Sequence, residues 1–194
     1  MQKSQAPVYI ALLHHPIQNR KGELVTTSVT NLDIHDISRT VRTFGIRRYF
    51  IVTPLAPQRQ VVQRILDHWK GEASKKYHPD RAEAVSLVDL VVDFQDVKAA
   101  IVAAHGEPPE VLLTDARPLM ASVSYADFRR ELQESQRTRP VLVVFGTGWG
   151  IEKSFFPEVH RFLAPVHGPE GAEGYNHLSV RAAVAIILDR LFGI

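Results

Sequence analysis

Short runs of apolar residues alternate along the chain with longer stretches in which apolar positions return every three to four residues. Val8–Leu13 (VYIALL) is apolar almost throughout, which predicts a strand buried on both faces. Ile34, Ile37, Val41 and Phe44 then recur at helical spacing, predicting a helix over 31–44 with Gly45 as a left-handed stop. The same reading gives a strand at Tyr49–Val52, a helix over 58–69, a strand over 85–92 and a helix over 95–104. Next come a strand over 111–113, a helix at Tyr125–Gln133 and the clearest buried strand, Val141–Phe145 (VLVVF). A short strand over 162–166 and an apolar helix over 178–191 close the chain.

About six alternations of this kind, with strands that carry no polar face, predict one α/β domain over 1–194. Its sheet is expected to be mostly parallel, with helices on both faces. The longest stretches without a clear period are 15–30 and 71–82, and long irregular segments in α/β folds tend to be functional. The last helix combines small Ala182, Ala183 and Ala185 with large Val184, Ile186, Ile187, Leu188 and Leu191 around most of its circumference. Such a helix must be buried, in the fold or against a second subunit.

Composition narrows the class. Of 194 residues, 45% are apolar and 23% charged, enough for a core and too mixed for a disordered chain. No apolar run reaches the roughly 20 residues of a membrane helix. The polar opening MQKSQAP does not read as a signal peptide. With no cysteine there is no disulfide, thiolate nucleophile or thiolate-held metal, which suits the cytoplasm. The net charge of +2 places any nucleic-acid contact on local patches.

Parallel sheets bind ligands beyond the carboxyl ends of their strands. At those ends stand His14-His15-Pro16, Thr114-Asp115-Ala116-Arg117-Pro118, Gly146-Thr147-Gly148-Trp149-Gly150, and the segment 165–178 with Tyr175-Asn176-His177. The glycines are spaced GxGxG rather than GxGxxG, and Lys153-Ser154-Phe155-Phe156-Pro157 stands where a dinucleotide fold needs a long helix. A nicotinamide site is disfavoured, and no GxxxxGK[ST] loop exists for a triphosphate. A glycine loop that lets backbone groups approach a small ligand remains, alongside the plainer reading of a tight turn. His14 and His15 are adjacent, so on a strand they point to opposite faces, and no metal site is expected from them; His15 instead fits the mouth of the ligand site.

Three segments resemble the SPOUT class of RNA methyltransferases. Arg39-Thr40-Val41-Arg42-Thr43-Phe44-Gly45-Ile46 is similar to its first motif, and VLVVFGTGWGI over 141–151 to its strand and glycine loop. HLSVRAAVAI over 177–186 is similar to the start of its last helix, with Pro165 where the class has a turn. The order and spacing match across nearly the whole chain, and the pattern is most similar to a compact bacterial branch of S-adenosylmethionine (SAM)-dependent enzymes. The resemblance implies a C-terminal deep trefoil knot, an exception to the un-knotted rule, and a homodimer with its sites at the subunit interface. It implies SAM held by Thr114, Phe145, Gly146, Thr147, Gly148, Trp149, Gly150, Val166, Asn176, Leu178 and Ser179. Trp149 is open to two roles, a stacking face or a lid over the core.

By the same resemblance Arg39 is the leading catalytic residue, with Asp33 and Asp36 beside it on one helix. In the ribose-methylating branch an asparagine stands six residues before the arginine and another at the start of the last motif; here these are Asp33 and His177. Oxygen and nitrogen acceptors in RNA both stay open. The residues also allow a purely structural use: Thr30 or Asn31 as helix cap, Asp33 in the first turn, Asp36 paired with Arg39. RNA contact falls to Arg20, Lys21, Arg42, Arg47 and Arg48, with Lys75, Lys76 and Arg81 as further cations. Two alternatives remain: a regulatory protein of the same fold that binds SAM or RNA without turnover, and an unknotted α/β domain whose glycine loop serves another ligand.

Overall fold

The computed structural model describes residues 6–119, 121–133, 137–169 and 175–193. The opening residues 1–5 of the supposed non-signal N-terminus, and 170–174 within the segment 165–178, lie outside them.

Nine strands and seven helices are described. The chain runs β1 (Val8–Leu13), a hairpin of β2 (Ile17–Gln18) and β3 (Leu24–Val25), α1 (Asn31–Thr43), β4 (Tyr49–Val52) and α2 (Ala56–Lys70). It continues with α3 (Glu72–Tyr77), α4 (Pro79–Val85), β5 (Val88–Val91), α5 (Phe94–His105), β6 (Glu110–Leu113) and β7 (Ser122–Val123). The last elements are α6 (Tyr125–Gln133), β8 (Val141–Phe145), a 3₁₀ turn at Lys153–Glu158, β9 (Arg161–Leu163) and α7 (Val180–Phe192). Seven strands form one sheet in the order β5-β4-β1-β8-β6-β9-β7, and every described pairing in it is parallel.

Alternation along β1 divides the core. Val8, Ile10 and Leu12 face α1, α2, α4, α6 and α7, whereas Tyr9, Ala11 and Leu13 face α5, the hairpin and the 3₁₀ turn. Helices cover both faces, but unequally. The terminal helix turns Val184, Ile187, Leu188 and Leu191 into the first layer and leaves Ala182, Ala185 and Ile186 half-buried.

Several boundaries differ from the sequence expectation. The span 71–82 is not irregular but largely helical. Pro79 opens α4 at a position where its missing N–H costs nothing, and Ala82, Ala84 and Val85 bury against α1. That helix takes Val85, the first residue of the expected strand 85–92, and the strand begins only at Val88. The span 15–30 holds the β2–β3 hairpin, turned at Gly22 with φ +79°. The expected strand 162–166 is Arg161–Leu163, and the last helix starts after Ser179, whose side chain caps it by accepting from the Ala182 N–H. Among the described residues no helix is long and apolar enough to cross a membrane.

Candidate active site at the carboxyl edge of β6 and β8

Strand β8 comes late in sequence yet inserts between β1 and β6. The loops after β6 and β8 therefore leave the sheet side by side, and the first turn of α7 closes the space between them. They enclose a cavity of about 480 Å³, within the range of small-molecule sites. Every position assigned above to the cofactor, from Thr114 to Ser179, lines it. Apolar walls come from Phe145, Val166, Leu178, Val180, Ala183 and Ile187. The Asn176 side-chain NH₂ donates to the Ala116 carbonyl at 2.8 Å, tying the last loop to the β6 loop.

The glycines of the β8 loop have separate reasons. Gly148 and Gly150 have φ +58° and +97°, and a Cβ on Gly146 would stand 2.7 Å from Ile151 Cγ1. Between them, Thr147 points inward. Its hydroxyl donates to the Leu13 carbonyl at 3.3 Å and lies 2.5 Å from Thr27 Oγ1, which is 3.1 Å from His14 Nδ1. Directions follow in turn: Thr147 accepts from Thr27, so Thr27 accepts from His14, and the imidazole carries its proton on Nδ1. His14 is fully buried and its Nε2 has no partner among the described residues. Burial pushes its pKa down to about 4, against an opposing pull from the Asp33 carboxylate.

The β6 loop supplies Asp115 and Arg117, which the sequence reading placed at the strand end without giving them a role. Arg117 donates from its backbone N–H and Nε to Asp115 Oδ1 at 2.8 and 2.9 Å, and from Nη2 to Oδ2 at 2.7 Å. Hydrogen bonding to Asp115 raises the Arg117 guanidinium above its ordinary value. Trp149 lines the cavity, half-exposed and edge-on to His177 with ring centroids 6.1 Å apart. His15 bonds Thr26 at 3.1 Å.

The three residues proposed for catalysis do not line this cavity within the chain. Asp33 is buried as the third residue of α1. It closes a capping box with Thr30 and accepts from Arg181 Nη1 of α7 at 3.1 Å. Asp36 pairs with the same Arg181 at 3.3 Å, not with Arg39 as its helical spacing suggested. Arg181, which ties α1 to α7, is the residue that sequence reasoning missed, because its partners lie in a distant element. Arg39 is exposed on α1.

The cations proposed for RNA separate. Arg20 and Lys21 sit exposed at the hairpin tip, and the neighbouring Gln18 accepts from the Trp149 N–H at 3.2 Å, beside the cavity. Arg42, Arg47 and Arg48 lie at the end of α1 and just before β4, toward the amino end of the sheet. Arg42 there pairs with Glu83 and Arg48 with Asp89.

Comparison with known proteins adds a family and a fold. A family model described as SAM-dependent RNA methyltransferase matches residues 7–193. An uncharacterized protein of Aquifex aeolicus (strain VF5) is 43% identical over 185 residues, covering 95% of this chain and 88% of its own length. A tRNA (guanine-N(1)-)-methyltransferase of Oleidesulfovibrio alaskensis is 38% identical over 186 residues. That match covers 96% of this chain and 42% of the relative, so the chain spans under half of that enzyme's length. Among solved structures, the SpoU methyltransferase AviRb from Streptomyces viridochromogenes superposes with a TM-score of 0.57 at 14% identity, covering 98% of this chain and 60% of that one. At that identity the likeness speaks for the SPOUT fold alone.

Proposed function

This chain belongs to the SAM-dependent RNA methyltransferase family, and on that premise we propose that its cavity seats SAM and that a homodimer methylates a structured RNA such as tRNA. The carrying observation is the cavity itself, which gathers apolar walls, exposed backbone and, among the described residues, one charged pair at the sheet's carboxyl edge. An adenine fits between apolar side chains with backbone partners, and Gly148 and Gly150 let the chain approach without Cβ atoms. When bound, SAM supplies a methyl group on a sulfonium, which leaves S-adenosylhomocysteine behind. The acceptor nitrogen or oxygen of the RNA gains that methyl and gives up its proton. Threading of the segment 175–193 as a trefoil knot belongs to the same reading, and the bond from Asn176 to the β6 loop supports it.

The chain's own part is to bind, align and assist proton loss. Arg39 is our catalytic candidate. It is exposed and does not face the cavity of its own subunit, which fits action at the cavity of a second copy. The half-buried face of α7 around Ile186 supports such a partner. In this reading Asp33 and Asp36, on the same helix as Arg39, act through Arg181, which both of them bind. Arg20 and Lys21, exposed on the hairpin whose Gln18 carbonyl accepts from the Trp149 N–H, are the first cations expected to meet RNA phosphates.

The test is transfer of radiolabelled methyl from SAM to unfractionated tRNA. Transfer by the wild type, reduced at least about 100-fold in Arg39→Ala with an unchanged melting temperature, is the expected result. A specific observation favours the regulatory reading as its rival: both carboxylates next to Arg39 are spent on Arg181. SAM binding without transfer to any RNA would favour that rival, and an Arg39→Ala variant at wild-type rate would remove Arg39 from the mechanism.

A further inference from the structure

Among the described residues, and apart from His177, the ionisable side chains lining the cavity are Asp115 and Arg117. Asp115 is nearly sealed, with 4% of its side chain exposed, whereas Arg117 is 45% exposed. A carboxylate so buried stays charged only beside a well-placed cation. The pairing uses one particular edge of the guanidinium. Nε and one Nη2 hydrogen meet the carboxylate, and Nη1 reaches Gln18 Oε1 at 3.4 Å. Of five guanidinium N–H groups, two are left among the described contacts, one on Nη1 and one on Nη2. With Gln18 taking the Nη1 hydrogen on the Cδ side, they form the end-on fork that suits a second carboxylate.

This guanidinium is also held in place. A Cβ on Gly150 would lie 2.7 Å from Arg117 Nη2 and 3.1 Å from Asp115 Oδ2, so the ion pair occupies the space that only a glycine leaves. The result is a fixed cation with its anion beside it, on a wall whose other described side chains, His177 apart, are uncharged and largely apolar. Such a pair complements a zwitterion.

We propose that Asp115 and Arg117 are the seat for the amino-acid end of the cofactor, with the outward fork of Arg117 taking the α-carboxylate and Asp115 Oδ2 facing the α-ammonium. This rests on the cofactor reading above and extends it to a specificity-determining pair. Arg117 then selects for ligands that keep the carboxylate, while the apolar walls hold the adenosine.

The test compares S-adenosylhomocysteine with its decarboxylated analogue by calorimetry, on wild type and Arg117→Gln, with thermal melts of both proteins. A charge-assisted pair of this kind gives the wild type a preference of about 10- to 100-fold for the carboxylate-bearing ligand. In Arg117→Gln that preference shrinks to within about threefold, with the decarboxylated analogue still bound and a lowered melting temperature, because the sealed Asp115 carboxylate loses its cation. A wild type that binds S-adenosylhomocysteine without such a preference overturns the proposal. So does a variant that keeps the preference, as expected if Arg117 serves RNA phosphate instead, or one that weakens both ligands equally. A wild type that binds neither ligand fails differently, because it removes the cofactor reading itself.

Discussion

Thr147 stands in the glycine loop, yet its hydroxyl is committed inward, to Leu13 and through Thr27 to His14. The loop is thereby pinned to the end of β1 by a chain of side chains, and its backbone is left to face the cavity. This arrangement depends on a neutral His14. Its pKa is lowered to about 4 in the folded protein, against about 6.5 when exposed, so between those values the unfolded chain binds more protons. Stability is then complete above pH 6.5 and is lost as pH falls toward 4, by about 3 kcal/mol for this group. His14→Asn keeps a donor toward Thr27 and does not titrate. Its melting temperature is expected to fall between pH 6.5 and 4 by roughly 6–12 °C less than the wild type's. Parallel acid limbs in the two proteins would contradict the burial of a neutral imidazole. None of this was legible in the sequence, where His14-His15 reads as an adjacent pair on a strand end and Thr27 as one of several loop hydroxyls.

At the scale of elements, the contact between α1 and α7 carries the clearest consequence. Arg181 lies one position beyond Val180, which lines the cavity, and it meets a buried Asp33 and an exposed Asp36. Removing the arginine leaves the Asp33 carboxylate, 6% exposed, with its bonds to Thr30 alone among the described residues. Arg181→Ala is expected to cost about 1–3 kcal/mol, below the full value for a buried pair because the arginine is itself partly exposed. Asp36→Asn, at the exposed end, is expected to cost under about 0.5 kcal/mol. Urea unfolding of the two variants checks this, and equal losses would show that burial of Asp33 is not what matters. Strands buried on both faces, such as Val8–Leu13 and Val141–Phe145, were legible to the residue because they are uninterrupted apolar runs. Two-residue strands such as Ser122–Val123 are shorter than one period and leave no pattern. The helices Glu72–Tyr77 and Pro79–Val85 bury few positions each, so their signal is mainly the proline that starts the second. The tie from Asp33 to Arg181 spans 148 residues and exists only in the folded chain.

Over the whole molecule, one insertion makes the site. With β8 between β1 and β6, the glycine loop, the Asp115–Arg117 loop and the start of α7 meet at one edge, while Arg42, Arg47 and Arg48 are carried to the other. That these loops gather at one cavity was legible because strand ends in parallel sheets predict where loops converge, and the individual lining positions came from the family resemblance. The placement of Arg39 outside that cavity was not legible, since a single sequence does not say how a helix face is turned relative to loops far away in the chain. The most direct measurement is calorimetric titration of the purified chain with SAM and S-adenosylhomocysteine, with NADH and ATP as controls. Gly148 has φ +58° and a Cβ there would lie 3.1 Å from Ile17 Cγ2, so Gly148→Val strains the loop that forms the wall. Selective binding of both adenosyl ligands, weakened at least about tenfold by Gly148→Val, is the expected result. Binding of neither adenosyl ligand, or binding untouched by that substitution, would contradict a SAM site at the carboxyl edge of β6 and β8.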